Sequence, residues 1–105
     1  MSRDLRYSDD AREHLDAISS FIEENADARV ADGFIAAIVT KCEKLSSLPG
    51  MLGTARADLA QDVRSTPFKG YILYFRYDAE TLEILGVLDA RRDAMAYFAD
   101  DDVDL

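Results

Sequence analysis

Tyr71-Ile72-Leu73-Tyr74-Phe75-Arg76-Tyr77, followed after the turn Asp78-Ala79-Glu80-Thr81 by Leu82-Glu83-Ile84-Leu85-Gly86-Val87-Leu88, is the stretch whose reading decides the fold. Its first half alternates. Tyr71, Leu73, Phe75 and Tyr77 share one face of an extended chain, and Ile72, Tyr74 and Arg76 share the other. The second half is almost continuously apolar, the pattern of a central strand covered on both faces. Upstream, Val63-Arg64-Ser65 opens the period-two region. Downstream, Asp89-Ala90-Arg91-Arg92-Asp93 leads into a last short helix over Asp93 to Phe98.

Outward toward the N-terminus the period changes to that of helices. Arg3 to Ser8 reads as a first strand. A helix then begins near Asp9, where Asp10 and Glu13 have capping-box spacing, and Ala11, Leu15, Ile18 and Ile22 line one face. Asn25-Ala26-Asp27 breaks that helix and supplies a new N-cap. Val30, Phe34, Ile38, Cys42, Leu45 and Leu48 continue at helical spacing until Pro49-Gly50 ends the second helix. So short a link makes an antiparallel helical hairpin. Met51 to Asp58 reads as a loop. The fold class is α+β, in a single domain over residues 1–99, and residues 100–105 read as an acidic, frayed tail.

The composition narrows what such a domain can do. At 105 residues, 49% hydrophobic and 31% charged, the chain makes one small globular core. A formal charge of -9 argues against general attachment to nucleic acid or to an anionic membrane. The positive charge is nevertheless segregated: Arg64, Lys69 and Arg76 lie between Val63 and Tyr77 without an acid among them. With one cysteine, Cys42, no intrachain disulfide and no cysteine-based metal site is expected. The lack of a long apolar run, at the N-terminus or elsewhere, gives the expectation of a cytoplasmic protein without a membrane span.

The order of these elements, with their residues, resembles the ParE toxins of the RelE/ParE superfamily of bacterial toxin-antitoxin systems. The likeness runs over roughly residues 3 to 98. It rests on Ala11-x-x-x-Leu15-x-x-Ile18-x-x-Phe21-Ile22, on the Leu48-Pro49 helix stop, on Gly53 followed by Arg56 and Leu59, and on Val63-Arg64-Ser65. Tyr74-Phe75-Arg76 and Val87-Leu88-x-x-x-Arg92-Asp93 complete it. The resemblance implies two N-terminal helices packed on a small, mainly antiparallel sheet. It also implies a ParD-like antitoxin, with a ribbon-helix-helix part and a C-terminal segment lying across the toxin in a hetero-oligomer, and DNA gyrase as the target.

The superfamily holds two activities, RNA cleavage and gyrase inhibition. RelE-like nucleases surround the scissile phosphate with loop lysines, a middle-strand arginine, and an arginine and tyrosine near the C-terminus. Cations there stabilise developing phosphate charge, and a tyrosine or lysine moves a proton. This chain departs from that set, with Arg56 but no lysine between Ser46 and Thr66, and with Ile72 at the middle-strand arginine position. Only Arg91 and Tyr97 fall near the remaining positions. The reading is therefore a non-enzymatic toxin that binds gyrase; an mRNA endoribonuclease, or a non-toxic antitoxin-binding module retaining operon autoregulation, are the alternatives.

The expected target-binding surface comprises Arg64, Arg76, Arg91, Arg92, Tyr97 and Phe98, and the expected antitoxin contacts are Phe21, Phe34 and Ile35. Against this, Asp62, Asp89 and Asp93 are near enough in sequence to pair with the arginines within the domain. Asp89 stands where ParE toxins often have a histidine. His14, beside the first helix's apolar stripe, reads as a packed or partly exposed residue, and Cys42 as a small apolar one. Asp9 with Asp10 and Glu23 with Glu24 read as solvated helix ends. No metal, organic cofactor or direct DNA contact is expected.

Overall fold

The computed structural model describes residues 3–103. Strand β1 (Asp4–Tyr7) leads into helices α1 (Asp9–Asn25) and α2 (Ala28–Ser47), and strands β2 (Thr54–Ala55), β3 (Val63–Phe68), β4 (Tyr71–Tyr77) and β5 (Thr81–Asp89) follow before helix α3 (Ala94–Val103). The five strands form one sheet in the order β1-β5-β4-β3-β2. All neighbours are antiparallel except β1 and β5, which run parallel with Leu5 opposite Leu82 and Tyr7 opposite Ile84. The α+β class, the helical hairpin and the mainly antiparallel sheet are as expected from the sequence.

The alternation in β4 divides the core. Leu73, Phe75 and Tyr77 join Ala11, Ile18, Ile38, Cys42, Leu45, Leu82 and Ile84 beneath the hairpin. Tyr74 faces the other way, with Leu59, Val63, Leu88 and Phe98. β5 is covered on both sides. Its continuous apolar run needs one irregularity, because Tyr74 pairs with Gly86 and Phe75 with Ile84, leaving Leu85 as an extra residue. Such a bulge re-aims the strand beyond it. Truncating Phe75, fully buried, would cost about 3–5 kcal/mol.

The local chemistry differs from the sequence reading at several ends. α1 is capped by Ser8, whose Oγ accepts from Ala11 N at 3.0 Å and donates to the Leu85 carbonyl at 3.0 Å. The Asp10–Glu13 capping box is thus replaced by a residue that also ties the helix start to the sheet. Asp27 caps α2, accepting from Val30 N at 2.9 Å. That helix stops one residue early because Leu48, preceding Pro49, is held in extended backbone at φ -78, ψ 148.

The expected loop over Met51 to Asp58 contains the two-residue strand β2, paired with Ser65 and Arg64. Lys69 and Gly70, both at positive φ, turn β3 into β4, the backbone that a two-residue hairpin demands. α3 is longer than expected: Asp93 caps it, accepting from Ala96 N at 3.2 Å, and the helix takes in residues 100–103 instead of fraying after Phe98. Asp104 and Leu105 of the expected tail lie outside the described residues.

Candidate functional site

Arg76, in register with Val63, lies on the sheet face opposite the hairpin, Arg64, in register with Phe75, lies on the hairpin's own face, and Arg91, Arg92 and Tyr97 follow β5 into α3. Arg64, on β3, donates from Nε to the Leu52 carbonyl at 2.7 Å and from an Nη to the Gly53 carbonyl at 3.0 Å. It fastens the loop after α2 against the sheet. Gly53 permits this approach. Its φ is +75°, and a Cβ there would stand 2.6 Å from the Ser65 carbonyl oxygen and 2.8 Å from the Phe75 ring. Arg56, in the same loop, forms a two-point pair with Asp58 at 3.1 and 3.0 Å. That bond holds the Asp58 carboxyl below its ordinary range.

Arg76 donates to the Gln61 carbonyl at 3.2 Å. It lies in register with Glu83, which in turn lies opposite Arg6 on β1. This Arg–Glu–Arg row across three strands was not legible in the sequence, because strand order decides it. Arg91 is turned back on Asp89, with Nε and an Nη at 3.1 and 3.2 Å from its two carboxylate oxygens. The hydrogen bond from the Arg91 side chain is the main cause that lowers the Asp89 pKa.

Arg92 takes a different course. Its guanidinium lies 5.7 Å from the Tyr97 ring centre, and the residue is exposed. Tyr97 donates its hydroxyl hydrogen to an Asp10 carboxylate oxygen on α1 and packs tilted on His14, the ring centres 5.6 Å apart. His14 Nδ1 accepts from Val87 N at 3.1 Å. Gly86 leaves room for this imidazole, since a Cβ there would fall 3.1 Å from it. Asp10, His14 and Tyr97 therefore join α1, β5 and α3. The sequence reading of His14 as a packed residue agrees, but the link to Tyr97 has no sequence signal.

Of the expected target-binding residues, Arg92 and Tyr97 come together and Arg91 stands beside them, paired within the chain. Arg64 and Arg76 lie on the sheet and serve backbone carbonyls. Phe98 is 5% exposed and packs on Tyr74 with ring centres 5.3 Å apart. It anchors α3 rather than presenting a face to a partner. Among the expected antitoxin contacts, Phe21 is 61% exposed. Phe34 and Ile35 are instead half-buried against the core, and Phe34 packs edge-on to Phe68 and Tyr71. Those partners are distant in sequence, which is why their cover could not be read.

A depression of about 170 Å³ between Met51, Ala55, Val63, Arg64 and Tyr77 is smaller than the roughly 300–1,000 Å³ of ordinary ligand pockets. Among the described residues no group of three or more His, Cys, Asp or Glu could hold a metal ion. No helix among them is long and apolar enough to cross a membrane.

Over residues 5–94 the sequence matches the family model of the ParE toxin of the type II toxin-antitoxin system, parDE. The chain belongs to that family. A chain of the chromosomal ParDE toxin-antitoxin system from P. aeruginosa superposes with a TM-score of 0.73 at 18% identity, over 84% of this chain and 96% of that one. That likeness is one of fold. A chain of the toxin-antitoxin complex RelBE2 from Mycobacterium tuberculosis superposes with a TM-score of 0.62 at 26% identity, over 88% and 95%. No curated protein sequence gives a significant match. In this ParE-family chain the motif residues Gly53, Arg64 and Arg92 thus have separate duties: Gly53 and Arg64 shape a loop, and Arg92 stands at the surface.

Proposed function

We propose that this ParE-family toxin acts by binding DNA gyrase in the cytoplasm, without cleaving RNA, and that a ParD-like antitoxin neutralises it. The observation that carries the non-enzymatic reading is the commitment of its cations. Arg56 is paired with Asp58, Arg64 with two carbonyls, and Arg91 with Asp89. Phosphoryl chemistry needs cations aimed at one developing charge and a group able to move a proton. Here the Tyr97 hydroxyl is bonded to Asp10. Ile72 packs beside the cluster around Tyr74. Arg92 on Tyr97 offers instead an exposed cation on an aromatic support, and both residue types are enriched at binding hot spots.

The test is a supercoiling and cleavage-complex assay with purified protein and gyrase, run beside an RNA cleavage assay. Inhibition of supercoiling with intact RNA is expected. RNA cleavage with unaffected gyrase would transfer the assignment to the nuclease class. Inactivity in both assays, with the antitoxin still bound, would leave a binding module. The antitoxin reading is tested separately: expressed with its neighbouring gene, the chain is expected to purify as a hetero-oligomer, and a free monomer would refute it.

A further inference from the structure

The closed end of the helical hairpin combines two features. Phe21 and Val30 are 61% and 51% exposed, and each lies about one turn or less from the link between α1 and α2. Isolated exposed apolar residues are common, but here one falls on each of the two helices close to the link that joins them. Within three residues of one or the other in sequence are Glu23, Glu24, Asp27 and Asp32 against the single base Arg29. Glu23 and Glu24 border an open depression beside Ser20. α1 continues the same sign along its solvent side with Asp9, Glu13 and Asp16, all exposed.

A second apolar spot, Leu48 and Met51, lies beside the Arg64 loop. Asp62 and Arg64 balance each other there, so its charge selects no occupant. The hairpin end does select one. An acidic segment would meet like charge locally and across a molecule of net charge -9, whereas complementary charge steers encounter and fixes register.

We propose that this end of the hairpin receives a basic, amphipathic segment of the antitoxin, an aliphatic side chain seated on Phe21 and Lys or Arg side chains against Glu23 and Glu24. The proposal rests on the antitoxin reading above and adds the chemistry of the partner. A helix laid on this end of the hairpin presents anchors at positions i, i+3 and i+4, with its bases at the margins.

The experiment measures binding of the full chain to the product of its neighbouring gene at 50 and 300 mM NaCl. The wild-type complex is expected to weaken at least tenfold at the higher salt. Glu23→Lys/Glu24→Lys should weaken it at least tenfold at 50 mM and by a smaller factor at 300 mM, and Phe21→Ser should weaken it at both. Glu80→Lys, in the β4–β5 turn at the far end of the sheet, should change the constant less than twofold. All these side chains are exposed, so melting temperatures should stay close to wild type. A complex that forms but tolerates the charge reversal within twofold, or tightens with it, overturns this proposal alone. A chain that binds no neighbouring product overturns the antitoxin reading and this proposal with it.

Discussion

Arg92 and Arg91 are adjacent in sequence and have opposite commitments. Arg91 is bound to Asp89 on both carboxylate oxygens, and Arg92 rests over the Tyr97 ring. Arg92→Ala removes one exposed cation–π contact of about 0.5–1 kcal/mol and keeps the backbone bond from Arg92 N to the Asp89 carbonyl. On the proposed function, gyrase inhibition should fall about tenfold or more while the melting temperature moves by only a few degrees. Full inhibition at unchanged stability would remove Arg92 from the target surface. Gly53 is the opposite case. Gly53→Ala adds a Cβ 2.6 Å from the Ser65 carbonyl at a φ of +75°, so overpacking and left-handed strain together should destabilise by about 2–4 kcal/mol in a urea titration. Cys42 gives a pH prediction. Burial raises its thiol from the ordinary 9.0 to about 11, and Tyr7 beside it is raised as well, also chiefly by burial. Both native forms are neutral. The unfolded thiol ionises first, so stability is complete below pH 9 and declines between pH 9 and 11, by on the order of 2 kcal/mol from Cys42. Cys42→Ala should show a shallower alkaline decline in urea midpoints, and identical slopes would refute the assignment.

At the scale of elements, α3 reaches both faces of the sheet. Phe98 packs with Tyr74, Leu59 and Leu88, whereas the Tyr97 hydroxyl reaches Asp10 on α1. Deleting the C-terminal segment would therefore disturb the core as well as any target surface, and point variants separate the two. Phe98→Ala should lower unfolding free energy by about 3–5 kcal/mol, as a buried aromatic does, measurable by thermal or urea unfolding; a loss below about 1 kcal/mol would mean that α3 is not held by this contact. The elements whose period is strong were legible. Tyr71 to Tyr77 alternates, Leu82 to Leu88 is apolar except at Glu83, and the two helices carry apolar residues at helical spacing. β2 was not legible, since two residues, Thr54 and Ala55, carry no period. Neither was the bulge at Leu85, which depends on pairing with β4. The arginine roles were only partly legible for the same reason. Arg64 and Arg76 are met by backbone carbonyls, which every residue possesses, so no side-chain pattern announces them. Phe34 looked exposed because Phe68 and Tyr71, which cover it, arrive from another hairpin.

At the scale of the molecule, the -9 charge outweighs the ion pairs that could offset it. Those found among the described residues are Arg12–Asp9 at 4.0 Å, Arg56–Asp58 at 3.0 Å and Arg91–Asp89 at 3.1 Å. Each joins residues close in sequence, and each has an exposed partner, so none ties one element to a distant one or contributes much to stability. The excess acid instead acts over distance. The principal extents are 38, 35 and 20 Å, comparable with a screening length of about 30 Å at 10 mM salt and far greater than about 8 Å at 150 mM. At low salt the acids of α1 repel those elsewhere on the protein, and compaction brings them closer than the unfolded chain does. Sodium chloride screens this long-range repulsion more than it weakens three local pairs. The melting temperature is therefore expected to rise by a few degrees between 10 and 150 mM NaCl, with the greater part of the rise below about 100 mM, where the screening length changes most. Differential scanning calorimetry of the isolated chain measures it. A flat or falling melting temperature would mean that short-range attraction governs this fold, and would also weaken the case for the acidic hairpin as an electrostatic guide to its partner.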